Sequence, residues 1–348
     1  MPFCDWFSGF VNYDFPDWHD GRVIQIRASG EIDYETLKPM QIKGSFDDNI
    51  TVKSCPIPAT EEYSLSRIEA TWRVYISGNP TKFLQGHNVY GHADMIGVIR
   101  DFIRIVLDKL GLDVFTINRI MKDPIQVTRI DVTQGYLMDS NKDVTEWLRS
   151  CSQFMTGKNQ KVDTGATLYV GKHSRRVSIK VYNKAVEMLA HKKTFNLSDE
   201  IFDKLHCVAS RLLRFEVTLR GMKLRDLGLD FLGKATNEMY ERDYHRAIEK
   251  MNLPENLELI KNDVHALPPQ YSGVYHAWLS GIDIKETMSR TSYYRYRKFF
   301  LEKFNLDLSM PPRDISYSSI IPLWQVIRVG AEYNPLEDDE NLYIPSGK

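Results

Sequence analysis

The chain has 348 residues, 43% of them hydrophobic and 11% aromatic, enough to bury one large core or two smaller ones. A formal net charge of −1 selects no partner, and no apolar run approaches the roughly 20 residues of a membrane span. Four scattered cysteines (Cys4, Cys55, Cys151, Cys207) with no CxxC pair argue against a disulfide framework or a cysteine zinc site; the first residues also lack a signal-peptide layout, so a reduced, soluble, cytoplasmic protein is expected.

In chain order, one short pattern occurs three times: Arg67-Ile68-Glu69-Ala70-Thr71, Arg129-Ile130-Asp131-Val132-Thr133 and Arg214-Phe215-Glu216-Val217-Thr218. The two-residue period of a strand puts Arg, acid and Thr on one face and the apolar residues on the other. Acidic residues are poor strand formers, so a repeated mid-strand acid needs a reason beyond propensity. An Arg–carboxylate ladder across strands and a carboxylate cluster for a divalent cation both meet that need.

Between the first two copies, His87 stands in Leu84-Gln85-Gly86-His87-Asn88-Val89-Tyr90-Gly91. The glycines and Asn88 suit a tight turn that presents the ring, either as a ligand or as a cap. A helix follows from Asp94 to about Leu110, with Ile96, Ile99, Ile103, Val106, Leu107 and Leu110 as its stripe and Gly111 as its stop. After the second copy come a helix at Asp143–Phe154, strands at Ala166–Gly171 and Val177–Lys184, and helices at Ala185–Lys193 and Ser198–Cys207. The strands are joined by the basic turn Lys172-His173-Ser174-Arg175-Arg176. In the second strand Ser178, Lys180, Tyr182 and Lys184 share a polar face, which suits phosphate chemistry or an ordinary exposed edge.

Beyond about residue 222 the pattern turns helical, with Thr236–Met251 and His276–Ser280, then a Gly281 turn and Ser289–Phe304. This is a helix-turn-helix layout whose second helix interleaves Arg290, Arg295, Arg297 and Lys298 with Tyr293, Tyr294, Tyr296, Phe299 and Phe300. Residues 171–193 carry seven cations against Glu187, and residues 289–303 carry five against Glu302. Local basic blocks can grip a polyanion even in a neutral chain, because screening makes nearby charge count most. The expected fold is α+β: antiparallel sheets from two related halves, with helices on one face and the polar face open. Residues 1–235 would form one domain (halves about 1–120 and 121–235), 236–325 a helical DNA-binding region, and 326–348 a disordered acidic tail.

Phosphate loops, GxGxxG, HExxH, GxSxG and a His-apolar-His pair are all absent from the sequence. What remains is carboxylates on a polar sheet face (Asp131, Glu216), His87, and Tyr182 flanked by Lys180 and Lys184. Together they suggest metal-assisted phosphoryl transfer to tyrosine. Mg²⁺ or Mn²⁺ would polarise the phosphate, and the lysines would stabilise a phenolate whose ordinary pKa is near 10. Tyr169, on the adjoining strand, and Tyr293 or Tyr294, in the basic helix, are alternative nucleophiles.

The segments Lys82–Gly91, Thr128–Thr133, Val181–Glu187, Leu213–Val217 and Ile320–Leu323 resemble, in the same order, the gene II replication initiators of filamentous bacteriophages. The series Arg-Ile-Asp, Val-Tyr-Asn-Lys, Arg-Phe-Glu is also similar to initiators of rolling-circle plasmids. The resemblance implies a site-specific endonuclease and ligase. Such a protein nicks one strand at an origin, holds the 5′ phosphate on tyrosine, leaves a 3′-OH for the host polymerase, and later reseals the displaced strand. It places the nucleophile at Tyr182 and the acids at Asp131 and Glu216. It also implies a bacterial cytoplasm, single-stranded or supercoiled origin DNA, a host helicase and polymerase as partners, and room for a homodimer. Lys172, Arg175 and Arg176 would join Arg290, Arg295, Arg297 and Lys298 in holding DNA. A non-catalytic origin-binding regulator and a metal-dependent nuclease using water are the alternatives.

Overall fold

Alternating apolar residues on β7 (Gln126–Leu137) and β11 (Leu212–Arg220) make one face of each strand a wall of Val127, Val132, Phe215, Val217 and Leu219, all at most 1% exposed. Period-2 geometry then commits the intervening Arg, acid and Thr residues to the other face. The structure is a computed structural model. It describes the chain apart from residues 45–48, 58–69, 155–159, 164–166, 193–194, 252–266, 305–307, 310–331, 336–338, 340 and 347–348. Arg67, Ile68 and Glu69 of the first repeated pattern, Ile320–Leu323, and Glu337, Asp338 and Glu340 of the acidic end therefore lie outside the described residues.

The remaining strands of the main sheet are β1 (Phe3–Asn12), β4 (Met40–Lys43), β5 (Asn49–Pro56), β6 (Trp72–Gly78), β8 (Gln160–Asp163), β9 (Thr167–Val170) and β10 (Val177–Asn183). They form one antiparallel sheet in the order β4-β5-β6-β1-β7-β11-β10-β9-β8. Two expected halves are thus one sheet, fused where β1 pairs with β7 (Phe7 opposite Ile130). β1 carries no clean alternation because both its faces are largely covered. A separate hairpin, β2 (Arg22–Ile26) and β3 (Ile32–Leu37), is largely exposed along both strands.

Helices cover the apolar face. α1 (Pro80–Gln85) precedes α2 (Met95–Lys109), which starts at the Asp94 cap and buries Ile99, Phe102, Ile103, Val106 and Leu107. Phe102 meets Phe7 edge-on at 6.3 Å and Phe83 at 5.3 Å. α3 (Val114–Met121) packs beside it, and α4 (Asn141–Phe154) sets Trp147 edge-on to Phe215 at 5.4 Å. α5 (Lys184–Ala190) and α6 (Asp199–Ala209) behave differently. Their Met188, Phe202 and Leu205 cluster with Leu212, on the polar-residue face. That face is therefore roofed at one end rather than open along its length.

α7 (Gly221–Leu227) leads to α8 (Asn237–Glu249), whose Tyr240, Tyr244 and Ile248 join the sheet's core. The first structural unit therefore runs past residue 235, through α8 and Met251. α9 (Pro269–Leu279), α10 (Ile284–Thr287) and α11 (Arg290–Phe304) have a core of their own with Tyr275, Trp278, Ile284, Tyr293 and Phe300. Tyr293 and Phe300 are thus core residues, whereas Tyr294 is 48% exposed.

The described parts of the acidic end are docked, not free. Tyr333 N–H donates to Gly135 O at 2.8 Å, Tyr343 N–H to Gln85 Oε1 at 2.9 Å, and Ser346 N–H to Asp101 Oδ2 at 2.7 Å. Composition marks such a segment as solvated, but Tyr333 and Leu342 supply apolar contacts, and Tyr343 Oη a hydrogen bond to Asp101, that composition averages away. Phe102→Ala should cost about 3–5 kcal/mol in a urea titration, from lost transfer energy plus a cavity. Tyr294→Ala should stay within about 0.5 kcal/mol.

Candidate active site on the polar sheet face

The site follows from strand register. Across β10, β11 and β7, Lys180 lies opposite Glu216, which lies opposite Thr133; in the next row Ser178, Thr218 and Asp131 align. Tyr182 lies opposite Arg214. These residues share one face, in three successive rows: Tyr182 stands one row from Glu216 and two from Asp131. Tyr169 on β9 lies opposite Lys180 and continues the same row.

β1 adds a carboxylate that periodicity did not reveal. Cys4 pairs with Val132 and Trp6 with Asp131, which leaves Asp5 as the extra residue of a bulge. Its Oδ1 accepts from Asn79 Nδ2 at 2.7 Å and from Asn88 Nδ2 at 2.8 Å. Asn79 also caps α1, which ends at Gly86 with φ +86°, a left-handed turn that a glycine adopts without strain. This turn sends residues 87–90 back across the end of the sheet. There the Arg214 guanidinium, fully buried, donates to the backbone carbonyls of Asn88 and Val89, the latter at 2.7 Å.

Lys184 is not on the strand. Asn183 ends β10 and caps α5 by accepting from Ala185 and Val186 N–H, so Lys184 is the first helical residue. It is nevertheless buried in the same cluster, with Nζ donating to Asn88 Oδ1 at 2.8 Å and Glu187 Oε2 at 2.6 Å. His87 is buried as well, its Nε2 3.0 Å from the Asn341 carbonyl and its Nδ1 3.4 Å from Val89 N–H. Both ring nitrogens are occupied by backbone groups, so the ring pins the loop and the C-terminal segment together instead of turning its nitrogens to the carboxylates.

Electrostatics follow from burial. Asp131 is 2% exposed, and burial raises its pKa against the pull of Arg129, whose Nε donates to Oδ1 at 2.9 Å. Glu216 is half-buried as a residue, but its carboxyl is enclosed; burial and then the Asp131 charge push it up to about 7. Burial drives the Tyr182 phenol well above its ordinary value, with Arg214 opposing. Burial lowers Lys184 to about 8 despite Glu187, and lowers His87 to about 4, so that imidazole is neutral. Lys180 Nζ lies 3.8 Å from the Tyr182 ring centroid.

Among the described residues no three His, Cys, Asp or Glu side chains stand ready as a metal-binding group. Tyr182 is 2% exposed, while Tyr169 is half-buried with Lys172 Nζ 4.3 Å over its ring. In the turn before β10, Arg175 is exposed and Arg176 pairs with Asp226. On α11, Arg290, Arg295 and Lys298 are exposed and Arg297 is half-buried. The sequence reading missed Asp5 and the structural parts of Asn88 and Arg214. The last two lay inside the quoted motifs; Asp5 lay in a bulge, which leaves no periodic signal.

Residues 4–238 match the family model described as "Replication-associated protein G2P N-terminal", a span that holds Asp5, Asp131, Tyr182 and Glu216. Among relatives, the chain is 29% identical over 333 residues to the "Replication-associated protein G2P" of Enterobacteria phage I2-2, covering 94% of each chain. No helix among the described residues is long and apolar enough to cross a membrane. The chain belongs to the family of phage replication-associated proteins G2P.

Proposed function

We propose that the protein starts rolling-circle replication by nicking one strand of an origin and later rejoining it, with Tyr182 as nucleophile. The observation that carries this reading is the placement of Tyr182 on one sheet face with Asp131 and Glu216, beside the cations Lys180 and Arg214. A buried phenol resists ionisation, and adjacent cations are what offset that cost. The Tyr182 oxygen bonds to phosphorus as the bond to the 3′ oxygen breaks. The cleaved strand then ends in a 3′-OH, the group that a polymerase extends. Attack by a 3′-OH on the phosphotyrosine reverses the step and reseals DNA.

Asp131 and Glu216 suit Mg²⁺ or Mn²⁺: both offer hard oxygens, and the Asp131 charge raises the Glu216 pKa, a repulsion that a divalent cation relieves. Asp5, on the neighbouring bulge, is a third oxygen donor close enough to contribute to the same field. Such a cation, when bound, would draw charge from a non-bridging phosphate oxygen. Arg129 holds Asp131 in the meantime. Lys184 orders the Asn88 loop, and Tyr169 with Lys172 supports the strand on its approach. The basic turn and the exposed cations of α11 give the DNA backbone its contacts. A bacterial cytoplasm, with host helicase and polymerase acting on the nicked DNA and a homodimer as one assembly, fits this reading.

Incubation with a labelled single-stranded origin oligonucleotide and Mn²⁺, followed by a denaturing gel, should give an adduct that survives SDS. Tyr182→Phe should abolish that adduct while origin binding changes less than about threefold. Free cleaved product without an adduct would point to water as nucleophile, and binding without cleavage to a regulator. Tyr169→Phe should keep the adduct, slowed by no more than about tenfold. An adduct formed by Tyr182→Phe would overturn the assignment.

The Glu216 pKa of about 7 gives two pH dependences. Cleavage should rise between pH 6 and pH 8, as Glu216 loses the proton that competes with the cation. Stability should run the other way. A carboxyl whose folded pKa is raised holds its proton more tightly folded than unfolded, so stability falls as pH climbs from about 4.3 to 7. At pH 8, Mg²⁺ should raise the melting temperature of the wild type but not of Glu216→Gln, as differential scanning fluorimetry would show.

A further inference from the structure

The other face of the sheet, away from Tyr182, carries a cavity of about 780 Å³ between α8, α7 and the β9–β10 turn. Its floor is apolar, with Val170, Val177, Ile179, Leu219, Leu227 and Met251. The volume lies within the roughly 300–1,000 Å³ range of small-molecule sites. Asp243 of α8 is buried in the wall at 5% exposure. Arg242, 3.9 Å from Oδ2, and Arg246, 3.7 Å from Oδ1, form loose ion pairs with it, but neither is within hydrogen-bond reach, and Oδ2 has no hydrogen-bond partner among the described residues. A buried carboxylate oxygen that accepts no hydrogen bond is rare enough to require an explanation. On the rim, Lys223 and Lys250 have no ion-pair partner among the described residues.

We infer that this cavity binds a nucleotide with a guanine base. The three features specify different parts of one ligand. An apolar floor accepts a flat ring, and a buried acceptor demands an N–H edge. The rim lysines demand an anion. Guanine presents two adjacent donors, N1–H and the N2 amino group, which match the two oxygens of a carboxylate. A pyrimidine such as thymine offers one donor between two carbonyls that the carboxylate repels. The turn that holds Ser174 and Arg176 at the cavity also sets Lys172 against Tyr169 on the opposite face. On the proposed DNA-nicking reading, the natural source is an unpaired base of the origin strand, taken from the stack as the strand passes this turn.

Isothermal titration of the full chain with dGMP, dIMP and dTMP tests the site without any cleavage step. dGMP should bind at least tenfold tighter than dTMP, and dIMP, which lacks the N2 amino group, should fall between them. Asp243→Asn should weaken dGMP at least tenfold, and Lys250→Glu, on the exposed rim, about threefold or more. Tyr182→Phe should bind dGMP as wild type does, so a failure of the nucleophile assignment leaves this result standing. Absence of dGMP binding at millimolar concentration would overturn the site. So would equal affinity for dGMP and dTMP, or dGMP binding indifferent to both the Asp243 and Lys250 changes in variants that keep the wild-type circular dichroism spectrum.

Discussion

One buried guanidinium holds the site together. Arg214 projects from the middle of the sheet with no exposed surface, and its two terminal nitrogens reach the carbonyls of Asn88 and Val89. A buried cation is costly unless its hydrogen bonds are satisfied and an opposite charge is close. Asp5 and Glu187 provide that charge, and both are anchored through the same loop: Asn88 donates to Asp5 and accepts from Lys184, which donates to Glu187. Strand β1, the loop after α1, helix α5 and strand β11 are thus fixed by one chain of charged and amide groups. Removing any member leaves another buried and unpaired, so the network behaves as a unit rather than as separable pairs.

That chain explains why the loop around His87 is tight and why the histidine is neutral. With Arg214 and Lys184 close by, an imidazolium would add a third cation to an enclosed space, and burial already disfavours it. The neutral ring instead bonds to the Asn341 carbonyl. The same C-terminal segment also docks through Asp339, which accepts from Tyr90 Oη at 2.9 Å. The last described residues therefore complete the roof of the polar face, 254 positions along the chain from the loop that they touch.

Legibility in the sequence tracked periodicity. The strands around Asp131, Tyr182 and Glu216 were readable because Arg, acid and Thr, or Ser, Lys and Tyr, alternate with apolar residues that must face a core. α2 was readable from its helical stripe, the Asp94 cap and the Gly111 stop. What failed was long-range or aperiodic. β1 is covered on both faces, its bulge hides Asp5, and nothing local says that it joins two halves into one sheet. Lys184 shared the alternation of the strand, but Asn183 is also a good helix cap, and the cap prevailed. The C-terminal segment was read by charge, while its fate was set by Tyr333, Leu342 and Tyr343.

The sheet divides its two faces by dielectric rather than by solvent alone. The apolar side is a packed core, yet near β9 and β10 it opens into a cavity whose wall holds the Asp243 carboxylate. The polar side is enclosed enough to shift the pKa of Glu216, Tyr182 and Lys184, because α5, α6 and the C-terminal segment exclude water from one end of it. Enclosure strengthens every charge interaction there and makes repulsion between Asp131 and Glu216 expensive to keep. A folded state that keeps this repulsion gives up stability at this face, which on the proposed nicking reading is recovered when a divalent cation and a phosphodiester bind there. The same enclosure leaves Tyr182 at 2% exposure, so on the proposed nicking reading a DNA strand reaches the phenol only by displacing part of the roof. Lys172, Tyr169 and Lys180, all half-buried on β9, β10 and the turn between them, would lie along its approach to the phenol.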